Sequence, residues 1–430
     1  MKLQIESIDI KGIEFGSTTH ISDHVLYIDP QELEEIILKD DRIKSVEITI
    51  VNPGDKVRIV NVVDIIQPRC KIDRANEDFP GWLGKLTLAG QGHTRSLRGI
   101  SVVLSNRYSK RPYAALIDMF GIGGEMSLYG RMTNLSIDPI PSENTGERDF
   151  ESTVKLAGLK TAVYLAKAAE GFPFDHSETY ELEIPNLPSG KKRNLPRVAH
   201  YYQLYSPQHD YQGIPDPILY GTQITNLLPT ILHPNEVLDG AILSPHTIRK
   251  TDTYTIQNHP MIKELYRRHG KELIFTGVVV GVSSLDPIQR QRMAMMAANL
   301  ISNVLGANGV ILTKVHGGIP QVDIGLVAQA CEEMGVKTTL FAQLWSSIGS
   351  LSDYTLYGSD SLNAVINIGQ TMERIRLAKA DMILGGTSET SIYNPDFTQK
   401  AGDELIEIEG FLLAGVYDML GSSKIVAVEY

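Results

Sequence analysis

The sequence predicts an α/β protein, with a C-terminal parallel sheet of Rossmann-like βα units behind a β-rich N-terminal region. Three observations carry this. Leu273-Ile274-Phe275-Thr276-Gly277-Val278-Val279-Val280 is nearly continuous apolar, the mark of a strand covered on both faces. Asp286-Pro287 opens a helix, with Asp at the cap and Pro in the first turn, and Ile288, Met293, Met296, Leu300, Ile301 and Val304 give it an apolar stripe. Gly309-Val310-Ile311-Leu312-Thr313 then reads as a second buried strand, 322–334 as a second helix and Val336-Lys337-Thr338-Thr339-Leu340-Phe341 as a third strand. This alternation demands right-handed crossovers and a parallel sheet. A helix over 362–379, leading into a strand at Met382-Ile383-Leu384, extends the unit across residues 271–386.

The N-terminal region alternates instead. Leu3 to Ile10 and Val46 to Ile50 show period two, and Asn52-Pro53-Gly54-Asp55 reads as the turn before Lys56-Val57-Arg58-Ile59-Val60. Pro30 opens a short helix with Glu32, Glu34 and Glu35 near its positive end. Glycines punctuate short strands between 76 and 130, and 150–170 reads as a helix. The stretch 171–260 is poor in helix formers; strands such as Ala199 to Leu204 and long ordered loops are expected there. The expected division is a β-rich domain at 1–75, a mixed α/β domain at 76–260 and the Rossmann-like domain at 261–430.

Composition narrows the function classes. The chain has 430 residues, a net charge of -11 and two cysteines, Cys70 and Cys331. The acidic balance gives no support for nucleic-acid binding, and two cysteines exclude a cysteine-rich metal cluster held by this chain alone. The start carries no apolar signal core, and no apolar run is long enough to span a bilayer, so a cytoplasmic protein without membrane contact is expected.

Ligands of parallel sheets sit beyond the carboxyl ends of the strands, which points to the segments starting at Ser283, Lys314, Ala342 and Gly385. In Thr313-Lys314-Val315-His316-Gly317-Gly318, Lys314 can hold a carboxylate or form an imine and His316 can move a proton. Gly317 and Gly318 let backbone N–H groups approach an anion. Gly385-Gly386-Thr387-Ser388-Glu389 repeats the arrangement, with Thr387 as a substrate contact and Glu389 as acid or base. A plain turn with solvent-facing side chains explains either segment as well. Gly121-Ile122-Gly123-Gly124 lacks the Walker pattern and no GxGxxG follows the first strand, which disfavours ATP or NAD. Histidines at 200, 209, 233, 246 and 259 lack short metal-ligand spacing; His209, His246 and His259 are the candidates for a divalent zinc or iron ion.

Longer motifs carry a resemblance. Leu232-His233-Pro234-Asn235-Glu236-Val237-Leu238-Asp239-Gly240-Ala241, Asn258-His259-Pro260-Met261-Ile262-Lys263-Glu264-Leu265-Tyr266 and Arg268-His269-Gly270-Lys271-Glu272-Leu273 resemble the component B proproteins of glycine/sarcosine/betaine reductases. So do Gly309 to Lys314, Gly317-Gly318, Asp323 and Ala380-Asp381 to Gly385. The resemblance implies self-cleavage in the 240s and a cysteine-derived pyruvoyl group that condenses with the substrate amine. It also implies a thiol-bearing partner subunit and reductive C–N cleavage. Between Asp239 and Asn258, however, this sequence has no cysteine. Ser244 can in principle give the same product, but Pro245 follows it directly, so no pyruvoyl group is expected.

Three classes remain. In the preferred one, the chain is an unprocessed subunit of a reductase-like or lyase-like hetero-oligomer acting on a small amino or carboxylated substrate. His246, Lys250 and Asp252 then face the pocket from the altered loop, Lys314, His316 and Asp323 face it from the sheet, and a metal can replace the lost electrophile. In the second, it is a non-catalytic scaffold for the thiol-bearing partner. In the third, it is a stand-alone metal-dependent hydrolase.

Overall fold

Runs rich in valine and isoleucine build two six-stranded sheets. The computed structural model describes residues 1–430 except 75, 110–114, 185–193, 205–216, 226, 246–250, 285, 314–318, 345–363, 371–372, 394–397, 418 and 422–430. The first sheet is mixed and runs Ala115–Asp118, Val57–Ile66, Ile100–Ser105, Thr133–Pro141, Ile43–Val51. A smaller sheet of four strands, including Lys2–Asp9 and Gly92–Arg98, accompanies it.

The second large sheet is the parallel one. Its spatial order is Thr230–Leu232, Ile274–Val282, Arg197–Leu204, Gly309–Thr313, Lys337–Leu344, Ala364–Gln370, and only the first strand is antiparallel to its neighbour. Counted along the chain, the parallel strands run 2-1-3-4-5, a doubly wound order whose switch point lies between Arg197–Leu204 and Gly309–Thr313. Every residue of Ile274–Val282 is buried, as its unbroken apolar run requires. Helix Pro287–Asn299 starts at Asp286, whose carboxylate accepts the Ile288 and Gln289 amides, and Pro287 occupies the first turn. With helix Ile319–Glu333 it closes one face over Ala297, Leu312, Val327 and Leu340.

The long helix Glu147–Lys167 has Glu147 and Asp149 at its positive end and Lys167 at its negative end. It lies so close to Ile100–Ser105 that a Cβ on Gly158 would meet the Leu104 side chain at 2.4 Å. Val154, Leu159, Ala162 and Leu165 from this face join Leu33, Ile37, Leu104 and Ile137 in the core. Each such side chain contributes roughly 1.5–3 kcal/mol by leaving water.

The C-terminal region departs from the expected pattern. Residues 362–379 do not form a helix: Ala364–Gln370 and Arg374–Ala378 are strands. Ile375 and Leu377 are buried while Arg374 and Arg376 are exposed, so period two governs there. Met382–Leu384 is a strand, but it pairs in parallel with Val57–Ile59 of the mixed sheet and not with the parallel sheet. Gly385 therefore follows a strand of the other sheet. Among the described residues, no helix is long and apolar enough to cross a membrane.

Candidate functional site

The segment that leads to the altered loop is fixed from its own sequence upward. His233 caps the short helix Pro234–Leu238, and Glu236 reaches back to accept the His233 amide at 2.6 Å. Gly240 turns the chain at φ +87, where a Cβ would press on the Phe79 ring. Leu243 then donates its amide to Ile218 and enters the core, which brings in Ser244.

Ser244 is held on all sides. Its N–H donates to Thr253 Oγ1 at 3.0 Å, its carbonyl accepts from Lys155 Nζ at 2.9 Å, and its hydroxyl donates to the carbonyls of Thr251 (2.8 Å) and Pro245 (3.1 Å). Asp64 stands behind this arrangement. It pairs with Lys155, accepts the Thr253 hydroxyl at 2.6 Å, and takes the Thr253 and Ile65 amides at 2.9 and 2.8 Å. Asp64, Lys155, Ser244 and Thr253 are fully buried. An aspartate and a lysine survive such burial only as a hydrogen-bonded pair. Strand pairing slips between Val62 and Asp64, and a bulge of this kind re-aims a side chain.

Asp252 closes the far end of the loop. It caps helix Thr253–Gln257 by accepting the Thr255 amide at 2.7 Å. Burial pushes its carboxyl up to about 7, against the hydrogen bonds it accepts and with help from the Asp64 charge. The Tyr129 hydroxyl lies near this carboxyl but meets no hydrogen-bond partner of ordinary geometry among the described residues. A carboxyl that titrates near neutrality can hold or release a proton.

A second polar region lies at the carboxyl edge of the parallel sheet. Asp323 accepts Ser283 Oγ at 2.6 Å and the Ser284 amide at 2.8 Å, with Arg290 3.6 Å from its other oxygen. Gln203 donates to the Pro320 carbonyl at 2.8 Å. His200 reaches Thr313 Oγ1 at 3.0 Å, and its ring meets that of His259 edge-on at 5.0 Å. Burial pushes His200 down to about 3 and His259 well below its ordinary value, so both rings are neutral. Among the described residues, His200 Nδ1, His259 Nε2 and Gln203 Oε1 are buried with no hydrogen-bond partner.

Of the residues singled out in the sequence, His209, His246, Lys250, Lys314, His316, Gly317 and Gly318 lie outside the described residues. Asp252 sits beside the mixed sheet, and Asp323 lies in helix Ile319–Glu333, facing Ser283 and Ser284 at the end of a parallel-sheet strand. His259 caps helix Pro260–Arg268 through Nδ1. Thr387 and Glu389 follow the strand at Met382–Leu384; Glu389 is exposed and paired with Lys400, and Thr387 Oγ1 accepts the Glu389 amide at 3.2 Å. No group of three or more potential metal ligands occurs among the described residues. Cys70 and Cys331 are buried free thiols, each pushed up to about 12 by burial. Sequence reasoning missed Asp64, Lys155 and Thr253. One signal was present, a lone aspartate inside the apolar run Val62-Val63-Asp64-Ile65-Ile66.

Comparison with known proteins fits this chain end to end. Residues 1–427 match the family described as glycine/sarcosine/betaine reductase component B subunits. The chain is 32% identical over 439 residues to the glycine reductase complex component B subunits alpha and beta of Acetoanaerobium sticklandii, covering all of both chains. It is 31% identical to the corresponding protein of Peptoclostridium acidaminophilum, again over all of both chains. The betaine reductase complex component B subunit alpha of the latter organism is 32% identical across 90% of this chain and 88% of its own. No solved structure matches. With its whole length matched, the chain belongs to the family of glycine/sarcosine/betaine reductase component B subunits.

Proposed function

We propose that this chain is an unprocessed subunit of a glycine/betaine-reductase-like hetero-oligomer, and that it presents a small amino or carboxylated substrate for C–N bond cleavage. The relatives are named as parts of reductase complexes, which supports a partner subunit. The thiolate of that partner displaces the amine: a C–S bond forms as the C–N bond breaks, and the departing nitrogen keeps the electron pair and takes up any proton it needs.

One observation carries the reading that the chain stays whole. The only hydroxyl or thiol side chain at the start of the altered loop is Ser244, and its hydroxyl donates toward the carbonyls of Thr251 and Pro245. An N-to-O shift needs that oxygen on the preceding Leu243 carbonyl. The residues present do not fit a pyruvoyl precursor. Asp252 instead keeps a proton close to neutral pH at the other end of the loop, beside the segment that would take the substrate.

The test is an assay for release of ammonia, methylamine or trimethylamine, with the purified chain, a thiol-bearing partner from the same complex and a dithiol reductant. Glycine, sarcosine and betaine serve as substrates. Amine release that needs both proteins, and falls at least about tenfold in Asp252→Asn, is expected. No release with any of the three, despite a stable complex, would leave the chain a scaffold and end the catalytic reading.

A further inference from the structure

On the long helix Glu147–Lys167, apart from the Ser244 junction, two lysines of one face meet no acid within ion-pair distance among the described residues. We propose that Lys160 and Lys167 bind the two ends of a small linear dicarboxylate in the cleft between this helix and residues 76–84. The proposal does not draw on the reductase reading.

The cleft holds a cavity of about 290 Å³, walled by Ile36, Leu83, Val163 and Tyr164 with both lysines at its margin. Seven residues on a helix are two turns, so the two stems rise from one face about 10 Å apart. The Tyr164 hydroxyl is committed to Glu32 at 2.6 Å and to Thr19, which leaves its ring as wall. A second cavity of about 410 Å³ shares Asn76, Asp78 and Lys167 with the first and adds Lys71, Arg95 and Glu170. The Arg95 guanidinium is anchored by Glu6 and the Ala169 carbonyl.

Charge agrees with an anion. Asp78 is the one acid in the 290 Å³ lining, against two lysines. It is nearly buried, its Oδ1 already accepts the Lys71 amide at 2.6 Å, and burial raises its pKa. The spacing selects the shape. Two point charges separated by an apolar wall suit a carboxylate at each end of a methylene chain, whereas a compact phosphate could use one lysine at a time.

Isothermal titration of the full chain with adipate, acetate and inorganic phosphate tests this, with Lys160→Gln, Lys167→Gln and the double variant alongside. Saturable adipate binding is expected, at least about tenfold tighter than acetate or phosphate. Each single variant should weaken it about tenfold and the double variant abolish it. The lysines are at the surface, and unchanged melting temperatures verify that the variants fold. Three results would overturn the proposal: no saturable adipate binding, binding unchanged in the double variant, or phosphate bound as tightly as adipate with dependence on Lys167 alone.

Discussion

The Ser244 junction and the carboxyl edge of the parallel sheet both bury polar side chains, to opposite effect. At the junction, both Asp64 oxygens, Lys155 Nζ, both hydroxyls and the Ser244 backbone groups have partners. At the edge, His200 Nδ1, His259 Nε2 and Gln203 Oε1 have none among the described residues. A satisfied buried ion pair fixes the backbone around it, and losing one member strands a charge. Orphaned neutral groups lose little when changed and mark where a ligand's polar atoms would find partners. The junction thus looks built to hold a chain still, and the edge to receive something.

The largest expected effect breaks the junction. Lys155→Met should destabilise the protein by about 3–5 kcal/mol in urea unfolding, because it leaves the Asp64 carboxylate uncompensated. Adding Asp64→Asn should return part of that loss. A cost under about 1 kcal/mol for Lys155→Met would show that the pair does not hold Ser244.

Next come the opposite pH signatures of the two regions. Asp252 titrates near 7 folded and near 3.8 unfolded, so the folded state binds more protons between those values. Its contribution to stability therefore falls as pH rises from about 4 to 7. Asp252→Asn keeps the helix cap, removes that slope and should stabilise the protein at pH 8 by on the order of 2 kcal/mol. His200 titrates near 3 folded against 6.5 unfolded, so there the unfolded state binds more protons and stability is lost as pH falls below 6.5. Stability measured against pH in Asp252→Asn and His200→Phe should lose one limb each. Loss of the same limb in both variants would erase the distinction.

Smaller effects sharpen the contrast at neutral pH. His200→Phe should cost no more than about 1 kcal/mol, since one ring nitrogen has no partner and the other meets only Thr313. Tyr129→Phe should fall within about 0.5 kcal/mol of neutral in thermal melts, because its buried hydroxyl meets no hydrogen-bond partner among the described residues. A cost of several kcal/mol for either variant would mean the lost group is partnered after all.

Local signals account for what the sequence made legible. The apolar run at 273–280, the Asp286-Pro287 cap and the strand at 309–313 each state their conformation within a few residues. The segment 364–378 misled because Val365, Ile368, Ile375 and Leu377 also satisfy a loose helical spacing; strand pairing with Lys337–Leu344 and Leu405–Glu409 decides otherwise. The junction was hidden for a different reason. Lys155 is 91 residues from Asp64 and 89 from Ser244, and a lysine in a helix reads as a solvated side chain until the fold shows what it faces.

Whether Ser244 holds an intact chain together, as proposed, is decided by the denatured intact mass of the protein co-produced with the other subunits of its complex. A single species at 47.5 kDa, unreactive toward hydrazine, is expected. Two fragments split before Ser244, the second blocked at its new end and labelled by hydrazine, would contradict it.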